Sequence, residues 1–215
     1  MVKWSVLIFA LFVISTSNGQ SKLSLEADII GGFGYSSNTT VWNSGGVFNA
    51  SGQLGDEIEF KKKGQNINAA FVIGLGFGRF SLGPIVGFRS INSDSLKTKD
   101  GSWKLYPIMK NVSYFGLHVK YHLLTLNKNT TLSPVIEFGT FTLRTNRSYS
   151  KEDFQRKIFV VLAMAMYRDL GKFNLLIKPN YNLYACNYVV GQKYKVYEIR
   201  TSSFNIDIGF QFKLR

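Results

Sequence analysis

Phe204 to Leu214 reads FNIDIGFQFKL, and its alternation is unbroken: Phe204, Ile206, Ile208, Phe210, Phe212 and Leu214 fall on one face, Asn205, Asp207, Gly209, Gln211 and Lys213 on the other. A period of two is the signature of a β-strand with two unlike faces, and no helical stripe gives it. Working back along the chain, the same pattern recurs. Leu23, Leu25, Ala27, Ile29, Phe33 and Tyr35 oppose Ser24, Glu26, Asp28, Gly32 and Gly34, and Ile67, Ala69, Phe71, Ile73, Leu75 and Phe77 oppose Asn68, Ala70, Gly74, Gly76 and Gly78. Pro84, Val86 and Phe88 oppose Ile85, Gly87 and Arg89. Phe115, Leu117, Val119, Tyr121 and Leu123 alternate with Tyr114, Gly116, His118, Lys120 and His122, and Ile136, Phe138 and Thr140 with Glu137 and Gly139. Ile158 to Tyr167 is apolar on both faces, so its phase is open. Phe173, Leu175, Ile177, Tyr181 and Leu183 oppose Asn174, Lys178, Asn180 and Asn182. Eight strands are predicted.

The links between them alternate in length. Tight turns are expected around Gly83, Asn127 to Asn129, and Asp169-Leu170-Gly171, while long polar loops are expected at about 38–65, 94–110, 146–156 and 187–199. An even number of strands of about ten residues, with short turns at one end and long loops at the other, fits a membrane-spanning barrel. The expected fold is therefore all-β: an eight-stranded antiparallel up-and-down transmembrane β-barrel, with both termini at the short-turn, periplasmic end.

Composition agrees with a single folded unit. The 215 residues are 45% hydrophobic and 18% charged, which excludes a disordered chain. One cysteine, Cys186, excludes a disulfide scaffold and a cysteine-ligated metal centre. At the N-terminus Lys3, the apolar run Trp4–Ile14 and the small residues Ser15–Gly19 read as a signal peptide over residues 1–19, leaving the barrel over 20–215. A helical anchor would need roughly 20 apolar residues, more than this run supplies.

Charge decides which face turns inward. Glu26, Asp28, Glu137 and Asp207 share the polar face with Arg89, Lys120, Lys178 and Lys213. An eight-stranded barrel is just wide enough for side chains to fill its interior. In such a lumen an unpaired charge costs several kcal/mol, so four acids and four bases are expected to interlock as a plug. The alternative is a soluble periplasmic, lipocalin-like ligand-binding barrel, with the apolar residues inside. The uniform stripe from Phe204 to Leu214 argues against a tapering soluble core, and no lipocalin turn or Trp signature accompanies the first strand.

The glycine-laced GFGYSS (residues 32–37) and FVIGLGFGRF (71–80), the signal peptide and the terminal FNIDIGFQFKLR together resemble the small outer-membrane β-barrel proteins of Bacteroidota type, the group that includes PorT-like proteins. The resemblance covers residues 20–215. It implies an outer-membrane barrel and permits a role as a narrow pore or a secretion-system assembly factor. It implies no enzymatic activity.

No catalytic or cofactor set stands out. His118 and His122 share a face but lie roughly 13 Å apart along a strand, too far for one metal ion. Ser113 and Ser133 are the available nucleophiles, and nothing in their spacing brings a base and an orienting acid to either. GLGFG at 74–78 lies within a strand with no helix after it to cradle a phosphate. Neither metal nor cofactor is expected. The formal net charge of +13 concentrates in the loops, where Lys97, Lys99, Lys104, Arg144, Arg147, Lys151, Lys193 and Lys195 form a basic patch. At an outer rim these cations would meet lipopolysaccharide phosphates and carboxylates. The expected partners are outer-membrane lipid, lipopolysaccharide, the outer-membrane insertion machinery and a protein bound through the loops; nucleic acid is not among them. Tyr106, Tyr114, Tyr149, Tyr188, Tyr194 and Tyr197 are expected to form an aromatic girdle at the interfaces.

Overall fold

A computed structural model describes residues 23–43, 58–91, 96–97, 103–104, 111–144, 154–190 and 195–214. Its strands are β1 (Ser24–Asn43), β2 (Ile58–Phe77), β3 (Phe80–Ile91), β4 (Leu96–Lys97), β5 (Trp103–Lys104), β6 (Asn111–Tyr121), β7 (Leu124–Asn127), β8 (Thr130–Arg144), β9 (Phe154–Asp169), β10 (Phe173–Val190) and β11 (Lys195–Leu214). β4 and β5 form a small hairpin of their own. The others run in the order β6-β3-β2-β1-β11-β10-β9-β8-β7, and pairing of β6 with β8 closes the ring. β6 and β7 follow one another along β8, so the wall has eight staves, all antiparallel. Closure through β1 and β11 leaves no open edge low in the wall, which is why eight two-faced strands settle as a barrel.

The phase follows the expected one. Ile29, Phe33, Ile67, Phe115, Ile136, Phe138, Phe204, Ile206, Ile208 and Phe210 are exposed on the outer surface, while Glu26, Asp28, Asn68, Lys120, Glu137, Lys178 and Asp207 are buried inside. β9, ambiguous in sequence, turns Phe159, Val161, Ala165 and Tyr167 inward and Ile158, Leu162 and Met164 outward. Both sets are apolar, so only the ladders to β8 and β10 could choose between them.

Three expectations are corrected. The first tight turn lies at Gly78-Arg79 and not around Gly83. Gly78 takes φ 61, which a two-residue hairpin link favours, and the rings of Phe77 and Phe80 stack across it at 6.4 Å. Gly83 belongs to β3, opposite His118 of β6. The turns at Asn127–Asn129 and Asp169–Gly171 stand where expected, Gly171 with φ 88.

The second correction concerns strand length. β1, β2 and β11 each have 20 residues and β10 has 18, about double the expected length. Much of the polar 38–65 and 187–199 stretches is ladder and not loop. Asn38 pairs with Lys62 and Thr201, and Tyr188 with Tyr197. Above the apolar zone a strand needs only its hydrogen bonds, so polar residues continue it without an apolar face. The third correction is Tyr114, expected in the interfacial girdle. It points into the lumen and is buried there. Tyr188 and Tyr197 lie on the extended strands, and Tyr106, Tyr149 and Tyr194 fall outside the described residues.

Candidate functional site

The lumen is filled from the turn end upward by three polar layers and an aromatic one. In the lowest, the Glu26 carboxylate of β1 accepts from Lys120 Nζ of β6 and from Gln211 Nε2 of β11 at 3.3 Å. Asn174 Nδ2 donates to Gln211 Oε1 at 2.8 Å. Lys120 also lies 4.7 Å over the ring of Tyr167, whose hydroxyl reaches Asp28 Oδ2 at 3.4 Å.

The middle layer is the densest. Glu137 Oε1 accepts from Lys178 Nζ at 2.9 Å and sits 3.0 Å from His118 Nδ1. Lys178 Nζ lies 3.4 Å from Asp207 Oδ2, and Asn68 Nδ2 donates to Asp207 Oδ1 at 3.0 Å. Five strands thus contribute to one network, from β2, β6, β8, β10 and β11. Each charge has an opposite partner, which is the condition for a buried ionic cluster to be tolerated.

In the third layer Arg89 Nη1 of β3 donates to Ser203 Oγ at 2.7 Å. The Asn205 carboxamide, with its oxygen toward Arg89, accepts from Arg89 Nη2 at 2.6 Å and Asn182 Nδ2 at 3.0 Å. Above it, Tyr114, Phe141, Phe159 and Tyr184 form an aromatic cluster. Phe159 lies 5.0 Å from Tyr114 and stacks on Tyr184 at 5.8 Å, and Phe141 meets Tyr184 edge-on at 5.5 Å. The guanidinium of Arg89 caps Tyr184 at 4.9 Å. Glycine makes this cluster possible: a Cβ on Gly116 or Gly139 would come within 2.8 Å of the Phe159 ring.

Seven of the eight charged residues expected in the lumen are buried there: Glu26, Asp28, Arg89, Lys120, Glu137, Lys178 and Asp207. Lys213 is not. Its side chain is 55% exposed at the turn-end rim, 3.7 Å from Asp169, because β11 is emerging from the barrel at that point. Strand phase told which face Lys213 occupies but not that the lumen had ended. Polar neighbours that complete the network, Asn68, Ser203 and Asn205, and the aromatic layer were not anticipated as a unit. The sequence traces of that layer are Tyr114 on the polar face of its strand and the glycines Gly116 and Gly139 beside Phe159.

His118 and His122 do not meet. His118 contacts Glu137, while His122 Nδ1 lies 3.1 Å from Ser133 Oγ nearer the turns. Ser113 is at the loop end of β6, where its carbonyl accepts from Thr142 Oγ1 at 3.4 Å. The two serines therefore stand at opposite ends of the barrel. No group of three His, Cys, Asp or Glu side chains suited to a metal occurs among the described residues. Cys186 is a buried free thiol. Of the basic patch, Lys97, Lys104, Arg144 and Lys195 stand on described strands, and Lys99, Arg147, Lys151 and Lys193 lie outside the described residues.

No family model matches the chain, and no curated protein does. Among solved structures it is similar to Neisserial surface protein A, at 11% identity and TM-score 0.45, over 92% of this chain and 100% of that one. It is similar also to the outer-membrane protein AlkL in DMPC bilayers, at 14% identity and TM-score 0.43, over 87% of this chain and 90% of that one. A third is the outer-membrane protease OmpT from Escherichia coli, at 10% identity and TM-score 0.38, over 89% of this chain and 97% of that one. The fold of this chain is a closed, antiparallel, eight-stranded β-barrel with no helix among the described residues.

Proposed function

We propose that the protein is a non-enzymatic barrel of the outer membrane, sealed by its lumenal network and acting through its outer collar and loops in envelope structure or surface interaction. One observation carries this reading: the molecule is inverted relative to a soluble domain, with Phe, Ile and Leu exposed around the wall and Lys, Arg, Glu and Asp buried within. From Phe204 to Leu214 the wall climbs about 26 Å, at roughly 3.4 Å per residue and a tilt of roughly 40°, which matches the apolar band of such barrels at about 25 Å. A closed barrel satisfies its backbone internally, as hydrocarbon demands. The same inversion counts against the soluble lipocalin-like alternative.

The proposal includes residues 1–19 as the signal peptide, both ends of the barrel in the periplasm, and a PorT-like affiliation. Outer-membrane lipid and the insertion machinery are its necessary partners. The basic patch supports contact with lipopolysaccharide, and a loop-bound protein partner is the remaining element.

Heat-modifiability tests the reading. Extracted from the outer-membrane fraction in mild detergent, the unboiled protein is expected to migrate as a compact species that shifts on boiling. Recovery as a soluble periplasmic protein would overturn it.

A further inference from the structure

The wall is not laddered to its full height everywhere. β8 pairs with β9 from Thr130↔Arg168 up to Gly139↔Phe159 and no further, although β8 continues to Arg144 and β9 begins at Phe154. Each strand keeps its other neighbour across this stretch: Thr140 to Arg144 pair with β6, and Phe154, Gln155 and Ile158 with β10. The ladder between these two staves therefore stops short, while each keeps its other neighbour. A register shift between Ala185 and Asn187, opposite Gln155 to Ile158, gives the local cause, since a bulge bends and twists its strand. Thr140 and Thr142 stand exposed on the outer face of β8 just above Phe138, so the seam opens where the apolar band gives way to polar surface.

Beneath that seam lies the aromatic layer. Phe141 and Phe159 flank its base and are packed with Tyr184. Two buried polar groups here lack a hydrogen-bond partner among the described residues, Arg89 Nε and the Tyr184 hydroxyl. Arg89 is 1% exposed, and its described partners are Ser203, Asn205 and the Tyr184 ring, with no carboxylate among them. Lys120 and Lys178, by contrast, each hold an acid. A buried guanidinium without a counter-charge is costly, and buried unpaired donors need explanation.

We infer that the β8–β9 seam is a lateral portal, and that the aromatic layer with Arg89 and Tyr184 is a binding site for an amphipathic anion, an apolar body carrying a carboxylate. The carboxylate receives Arg89 Nε and the Tyr184 hydroxyl, and the apolar body lies against Phe141 and Phe159 with its tail in the seam. Arg89 gains the counter-charge that no described residue gives it, and the unladdered backbone edges are shielded. Such a molecule concentrates at the membrane interface, the level at which the seam opens; this direction of approach rests on the outer-membrane reading. Phe141 must swing aside to admit it, and the absence of a β9 rung opposite Phe141 allows that.

Titration of decanoate into the full chain in nanodiscs, with empty nanodiscs as the reference and folding confirmed by heat-modifiability, tests the site. Saturable one-to-one binding is expected. The shape-conserving Tyr184→Phe is expected to weaken it about tenfold, the scale of one hydrogen bond to a charged group, and decan-1-ol to bind more weakly than decanoate. Heats equal to those of empty nanodiscs would overturn the site, as would equal affinity of wild type and Y184F, or equal affinity for decanoate and the alcohol. For the portal, Thr140→Cys with Ile158→Cys in a Cys186→Ala background is bridged by a short bismaleimide, and the bridged fraction is expected to lose fast binding. An unchanged association rate would overturn the portal. Because every sample is first shown to be a folded, membrane-held barrel, failure here is distinct from failure of the outer-membrane reading.

Discussion

At the scale of single residues, the ionic plug separates charges that hold the barrel from charges that decorate it. Glu137 serves His118 and Lys178 at once, and all three side chains are buried. Glu137→Ala leaves a lysine and a histidine sharing one fewer acceptor, and is expected to cost about 3–5 kcal/mol, the range for breaking a buried pair. Lys213 forms an ion pair with Asp169 at the exposed rim, so Lys213→Ala is expected to cost at most about 1 kcal/mol. Urea unfolding of the two variants refolded into vesicles measures both, and equal losses would contradict the lumen assignment. Alternation placed both residues on the polar face. It carried no signal of where the lumen ends, because a strand keeps its period after it leaves the barrel.

At the scale of the element, β11 is the most legible strand and the best test of facing. Ile208 pairs with Gly31 of β1 and Ile177 of β10, midway along its apolar stripe, with its side chain outward. Ile208→Arg is expected to destabilise the inserted barrel by about 2–4 kcal/mol, the cost of a cation at mid-membrane. Retention of full folding yield in vesicles would count against the facing. β9 is the opposite case: with Val and Ala on one side and Leu and Met on the other, nothing in its own residues selects a face. Its neighbours select it, because a one-residue slip would exchange the two faces against both ladders. Gly83 shows a third limit. A Ser-Leu-Gly run has the composition of a turn, yet the positive φ of Gly78 put the hairpin five residues earlier.

At the scale of the whole molecule, the closed ring and its filled interior bear on transport. Three polar layers and an aromatic layer occupy the lumen in succession, and the residues that form them are almost all buried. No steady current is expected from the protein in a planar bilayer; sustained single-channel conductance would favour the narrow-pore alternative. Glu137→Ala and Ile208→Arg act on opposite faces of the same wall, so the pair distinguishes loss of the plug from loss of the lipid-facing surface.

By itself the sequence determined the class of fold, the number of staves, the inward and outward sets on seven of them, and the inward placement of seven charged residues. All of these follow from local period and from the cost of burying unlike groups. Only the tertiary structure decided which acid meets which base, the facing of β9, the extension of the polar strands into a collar, and the height at which the β8–β9 ladder ends. Those depend on register between strands distant in sequence: Lys120 reaches Glu26, 94 residues away, and Asn68 reaches Asp207, 139 residues away. No local pattern encodes a distance that exists only once the ring has closed.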